Sequence, residues 1–218
     1  MSSKRLTRRQ FIKTTALAAG GAALAVAGTG CTAEPEPAGE VETPSYTYDG
    51  NNAMNKRVLI AYATKTGSTV GVAAAIGEVL GARGFTVDVK PMQDDPSPGD
   101  YEAIILGSAI NGANWLPEAL DFIKNNQAAL GKVPVALFSV HAMNLGDDEG
   151  CEKNRQGYLK NVRPLVKAQE EVWFAGMGLD PNKESRFVRW MVRSFFKGGE
   201  GDCRDWTKIR AWSEKVFA

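Results

Sequence analysis

Hydrophobic positions come in two rhythms along this chain. Arg57-Val58-Leu59-Ile60-Ala61-Tyr62-Ala63 is a short apolar run, the mark of a strand buried on both faces. From Ser68 to Arg83 the residues Val72, Ile76, Val79 and Leu80 fall on one helical stripe. The rhythms then alternate. Gly84 to Val89 predicts a second strand behind a helix-stopping glycine, Pro91 to Gly99 a loop, and Tyr101 to Ala109 a third strand. Pro117 opens a helix carrying Leu120, Ile123 and Leu130, and Val133 to Val140 is a fourth strand. A polar loop to about Asn154, a helix to Lys167 and a fifth strand from Glu171 to Met177 follow. Pro181 to Ala218 reads as two helical segments split by Gly198-Gly199-Glu200-Gly201. Five strands alternating with helices predict an α/β three-layer sandwich, residues 56–218, around a five-stranded parallel sheet of order 2-1-3-4-5.

Residues 1–55 follow a different pattern. Ser3 to Lys13 is basic, and Thr14 to Gly30 is uncharged and rich in Ala and Gly. This is the layout of an export signal, too short and too weakly apolar for a stable membrane span of about 20 residues. Thr7-Arg8-Arg9-Gln10-Phe11-Ile12-Lys13 resembles a twin-arginine signal, whose usual passengers cross the membrane folded with a cofactor in place. Gly28-Thr29-Gly30-Cys31 sets Cys31 where a lipoprotein signal places its lipidated cysteine; an ordinary cleavage site is the alternative. The run from Cys31 to about residue 55, rich in Pro and Glu at its start, reads as a solvated tether. The expected location is the extracytoplasmic face of the membrane.

Charge sharpens this picture. The chain has 26 Lys and Arg against 25 Asp and Glu, but residues 1–30 hold five of the bases and none of the acids. The remainder carries net −4, which argues against a nucleic-acid partner. Three cysteines and one histidine exclude a disulfide scaffold and a His-rich metal protein. Cys151 and Cys203 are either free thiols or, outside the cytoplasm, a permitted pair.

In open α/β sheets ligands bind beyond the carboxyl ends of the strands. The first such loop, Thr64-Lys65-Thr66-Gly67-Ser68-Thr69, combines hydroxyls, a glycine and a helix N-terminus, a set suited to phosphate. It matches neither the nucleotide loop ending Gly-Lys-Ser/Thr nor Gly-x-Gly-x-x-Gly, so neither ATP nor NAD is indicated. The plainer reading is an N-cap with turn residues.

The Thr64–Thr69 loop resembles the FMN-phosphate loop of flavodoxins. Ala136 to Val140, Trp173 to Gly176, and Arg186 to Lys197 with Gly198 to Asp202 and Asp205-Trp206 resemble a narrower branch. That branch is the bacterial menaquinone-dependent protoporphyrinogen oxidases, flavodoxin-fold FMN proteins of haem biosynthesis. The resemblance covers residues 57 to about 215 and implies FMN as cofactor, membrane quinone as electron partner and protoporphyrinogen as donor. It also implies two further flavin loops. Ser108, Ala109, Ile110, Asn111 and Gly112 would run along the ring, and Trp115 would either stack on it or fill the core. Ser139, Val140, His141, Asn144 and Gly146 would read the ring edge through their main chain. His141 would either assist proton transfer or stand in solvent. No residue stands out as a catalytic base. Two departures from the branch are the export signal and the acidic loop from His141 to Asn154.

Between Arg186 and Lys197, the basic residues Arg186, Arg189, Arg193 and Lys197 recur at helical spacing, and Phe187, Trp190, Met191 and Phe195 occupy another stripe. Such a helix either lies on an anionic membrane surface or docks on the sheet with its charges in water. Three functions are compatible with these features. They are an exported quinone-linked FMN oxidoreductase, an exported electron carrier serving a membrane redox protein, and a tethered binding lipoprotein without flavin.

Overall fold

In the computed structural model, which describes residues 41–50 and 56–218, the strands are β1 (Tyr46–Asp49), β2 (Arg57–Ala63), β3 (Thr86–Pro91), β4 (Ala103–Asn111), β5 (Asn114–Trp115), β6 (Val135–His141) and β7 (Glu170–Ala175). The helices are α1 (Ser68–Ala82), α2 (Pro117–Leu130), α3 (Glu149–Gly157), α4 (Arg186–Phe196) and α5 (Trp206–Ser213). The twin-arginine motif, Cys31 and the Pro/Glu-rich run lie outside the described residues.

The sheet runs β1-β3-β2-β4-β6-β7, and β5 pairs with β4. β3, β2, β4, β6 and β7 are mutually parallel, which is the predicted 2-1-3-4-5 core. Their side chains divide into two clusters. Val58, Ile60 and Tyr62 face α1 and α5, while Leu59 and Ala61 face α2 and the turns near Leu159 and Val162. Burial on both faces explains why β2 reads as a continuous apolar run. In β4, Gly107 leaves room for the Phe138 ring, which a Cβ there would overlap.

Two expectations need correction. Tyr46–Asp49, assigned to the tether, is an antiparallel edge strand on β3, with Tyr46 opposite Val89 and Asp49 opposite Thr86. Its alternating aromatic and polar residues suit a strand with one covered face. Tyr48 lies across Gly77 and Gly81 of α1, and its hydroxyl donates to Ala74 O at 3.0 Å. The helix expected to reach Lys167 stops at Gly157 and continues as separate turns. Gly157 weakens the helix there, and Pro164 has no N–H to extend it.

β1 is fastened by a buried carboxylate. Asp88 accepts hydrogen bonds from Thr47 Oγ1 at 2.7 Å, Tyr101 Oη at 2.9 Å and Arg57 Nη2 at 3.1 Å. Burial alone would push its pKa up, but these three donors and nearby Lys90 outweigh burial and hold it below the ordinary value. Because the folded pKa is depressed, the cluster stabilises the fold above pH about 4 and loses that contribution as pH falls through the Asp88 pKa. Asp88→Asn should therefore cost about 1–3 kcal/mol in urea unfolding at neutral pH, with the gap to the parent narrowing near pH 3. A gap independent of pH would show that the carboxylate charge plays no part.

Candidate functional site

The loop joining β2 to α1 is built around Gly67. It is the α1 N-cap at φ 85°, a left-handed conformation that favours glycine, and its N–H donates to Thr64 Oγ1 at 3.0 Å. No side chain caps α1 and its first turn has no acid, whereas Asp148, Ser185 and Asp205 cap α3, α4 and α5. The positive end of α1 is thus left for something outside the helix. Ser68 and Thr69 are buried beneath the loop, Thr66 is half-buried and Lys65 is exposed. Thr69 Oγ1 is buried with no hydrogen-bond partner. A buried hydroxyl without a partner carries a free-energy cost that an anion oxygen would remove. The donor set therefore fits the phosphate of the flavin mononucleotide that the resemblance implies.

Two neighbours of this loop were not legible as site residues. Val41 Cγ1 stands 3.7 Å from where a Cβ on Gly67 would lie. The segment behind it is held by Tyr62 Oη donating to Pro44 O at 2.8 Å and Gln93 Nε2 donating to Thr43 Oγ1 at 2.5 Å. On the opposite flank Gly176 donates to His141 O at 2.8 Å, and a Cβ on it would meet Ser68 Oγ at 3.1 Å. Gly176 belongs to the Trp173–Gly176 segment that carried the resemblance, which was its only signal. The segment near Val41 gave none.

The second loop is a tight hairpin. Gly112 and Ala113 both have positive φ, 57° and 61°, and form a two-residue turn between Asn111 and Asn114. This folds Trp115 back opposite Ile110 and into the core at 2 % exposure. Its indole Nε1–H donates to Ser139 Oγ at 2.8 Å, and Ser108 Oγ accepts from Leu116 N at 3.0 Å. Ser108 and Ser139 hold the hairpin, and Trp115 fills the core rather than offering a stacking face. Asn111, Gly112 and Ala113 are the exposed tip, Ile110 is half-buried and Ala109 is buried.

The third loop, after β6, differs most from expectation. Asn144 N donates to Phe196 O at 2.8 Å, Leu145 N to Lys197 O at 3.0 Å, and Gly199 N to Ala142 O at 3.1 Å. Arg155 Nη1 donates to the carbonyls of Asn144 and Gly146, both at 2.7 Å. The Asn144 and Leu145 amides are therefore taken by the end of α4 and not free to read a ring edge, and Arg155 already holds the Asn144 and Gly146 carbonyls. Val140 is buried. His141 is buried at 5 % exposure rather than solvated, with Tyr158 against its ring and Nδ1–H donating to Met143 O at 2.6 Å. Burial outweighs the Met143 bond and, with nearby Arg155 and Lys208, lowers its pKa to about 4. At neutral pH the imidazole is uncharged, its proton sits on Nδ1, and Nε2 carries none. Cys151 and Cys203 are free thiols.

The model of the Flavodoxin domain family matches residues 59–204 of the 218. Among solved structures, the chain is similar to oxidised flavodoxin 1 from Bacillus cereus, at 15 % identity over 72 % of this chain and 94 % of that one, TM-score 0.43. A putative flavoprotein from Bacteroides eggerthii gives 18 % over 75 % and 99 %, TM-score 0.44. A rubredoxin oxygen:oxidoreductase from Desulfovibrio gigas gives 14 % over 73 % of this chain and only 35 % of that chain, TM-score 0.43.

Thr69→Val removes the unpartnered hydroxyl at nearly constant volume. The flavin-free chain should gain about 1 kcal/mol in urea unfolding. FMN binding, followed by quenching of flavin fluorescence, should weaken about tenfold or more. Unchanged affinity would remove Thr69 from the phosphate site. His141, the only histidine, gives one set of imidazole resonances that should titrate near pH 4. Since the unfolded chain takes up that proton near pH 6.5, the stability held above pH 6.5 should fall between about 6.5 and 4 and then level. A midpoint near 6.5 would mean that the ring is solvated.

Proposed function

The chain belongs to the Flavodoxin domain family and is an FMN-binding electron-transfer flavoprotein; from that premise we propose that it works outside the cytoplasm, passing electrons from a reduced donor to membrane quinone. The observation that carries the flavin reading is the uncapped, acid-free start of α1 with the partnerless Thr69 hydroxyl beneath it, inside the segment matched by the family model. Export is supported by the twin-arginine-like Arg8-Arg9 motif and by Cys31. Protoporphyrinogen as donor is supported by the segments from Ala136 to Val140 and from Arg186 to Asp202.

Bound FMN supplies one- and two-electron redox chemistry. The chain's task is to hold and shield it. Thr64 to Thr69 bind the phosphate through hydroxyls, main-chain N–H groups and the α1 dipole. The exposed tip at Asn111 to Ala113 and the loop after His141 leave the sheet at the same edge as the phosphate loop and would flank the ring. His141 Nδ1–H donates to Met143 O and the ring is neutral at pH 7, so the imidazole holds no imidazolium proton to give. Protons that accompany the electrons then travel through water or the substrate.

The test begins with a visible absorption spectrum of the gently purified full chain, expected to show flavin bands at one FMN per chain. Protoporphyrinogen is then supplied with a menaquinone analogue. Multiple turnovers that need both establish the oxidase. Flavin reduction without quinone-dependent turnover, relieved by a redox protein, would make the chain an electron carrier. A colourless chain that also refuses added FMN would overturn both and leave a binding lipoprotein.

A further inference from the structure

We propose that the exposed face of α4 docks on an anionic bilayer surface and so turns the carboxyl edge of the sheet, with the flavin loops, toward the membrane. The docking face stands on its own observations; only its bearing on electron transfer rests on the FMN–quinone reading.

Among the described residues, every large hydrophobic side chain that is exposed lies here. Phe187, Trp190, Phe195 and Phe196 on α4 are 67, 55, 70 and 48 % exposed, and Met143, in the loop that α4 bonds, is 39 % exposed. They form a patch, with the Trp190 ring 6.0 Å from Phe187 and 5.8 Å from Phe195 between centroids. A concentrated apolar patch on an otherwise polar surface marks an interaction site. The helix has no acid of its own. Arg189 is held by Glu200 at 2.6 Å and Arg193 lies 3.5 Å from the same carboxylate, while Arg186 and Lys197 project at the two ends. Aromatics between cations suit the boundary of headgroups and acyl chains, where the rings sit at headgroup level and the bases meet anionic lipid.

A second observation separates a membrane from a protein partner. β1 is antiparallel to β3, so the chain before Tyr46 enters at the carboxyl ends of the parallel strands. Val41 reaches that edge beside Gly67 of the phosphate loop. The end of α4 is bonded to the loop after β6, at the same edge. The ten peptide steps from Cys31 to Val41 span at most about 35 Å, so an acyl chain on Cys31 would pull this edge toward the bilayer. One acyl chain anchors weakly, and the α4 face supplies the second contact that firm attachment needs.

The test uses the full chain carrying Cys31→Ser, so that no acyl chain contributes. It should sediment with vesicles of equal phosphatidylcholine and phosphatidylglycerol far better than with phosphatidylcholine alone. Phe187→Ser with Phe195→Ser should weaken this at least tenfold. Arg186→Gln and Lys197→Gln should each weaken it roughly fivefold, in a salt-dependent way. Brominated acyl chains should quench tryptophan fluorescence, and Trp190→Phe should abolish that quenching. Equal binding to both vesicle types, or quenching that survives Trp190→Phe, overturns the proposal. So does self-association that the paired Phe→Ser changes abolish, because the face then serves a second copy. Flavin absorbance on the same samples keeps the two readings apart. A yellow chain indifferent to vesicles sinks the docking face alone, and a colourless chain that binds through α4 sinks the flavin reading alone.

Discussion

The parallel register of β2, β4 and β6 is the constraint from which the rest follows. It sets Ala63, Ser108, Ser139 and Trp173 side by side in one row. Beyond that row the chain leaves the sheet three times at one level, into the phosphate loop, the hairpin and the loop after β6. A slip of one residue in β4 would move its apolar set to the other face and take Ser108 out of reach of Leu116. Small residues are required at the two central positions of the row. Ser108 and Ser139 leave space for the Trp115 indole and each accept one of the hydrogen bonds that close the hairpin.

That geometry concentrates the function at one edge. The helix start that fits a phosphate is one that no side chain caps, with the Thr69 hydroxyl left without a partner. Burying a hydroxyl this way disfavours the empty fold, and the same arrangement selects an anion. The loop after β6 is more committed. The Asn144 and Leu145 amides bond the end of α4 and Arg155 holds the Asn144 and Gly146 carbonyls, so an element absent from the minimal five-strand pattern is fastened to the carboxyl edge of the sheet. α4 thereby joins the carboxyl edge of the sheet to the exposed large hydrophobic side chains of the described residues.

Two other buried polar groups, Asp88 within β3 and His141 at the carboxyl end of β6, are treated in the opposite way to Thr69. Asp88 has three donors and stays ionised, tying β1 to β3. His141 has one carbonyl, an aromatic neighbour and two nearby cations, and stays neutral. Both are buried, and the number and sign of their partners decide their charge.

The sequence alone determined the five parallel strands β2, β3, β4, β6 and β7, their order among themselves and their alternation with helices, because each rests on local period. Gly67 was recognisable as the residue of a tight turn, and the structure sets it in the left-handed region at φ 85°. The edge strand Tyr46–Asp49 was missed because four residues beside a Pro/Glu-rich run carry too little pattern, and its stability comes from Tyr48 against Gly77 and Gly81. Trp115, His141, Asn144 and Gly146 had the right loops but roles that only the tertiary structure decided. An aromatic ring stacks or fills a core according to a two-residue turn, and a main-chain amide is free or engaged according to a helix some fifty residues downstream. Those outcomes depend on non-local partners, which no local period encodes.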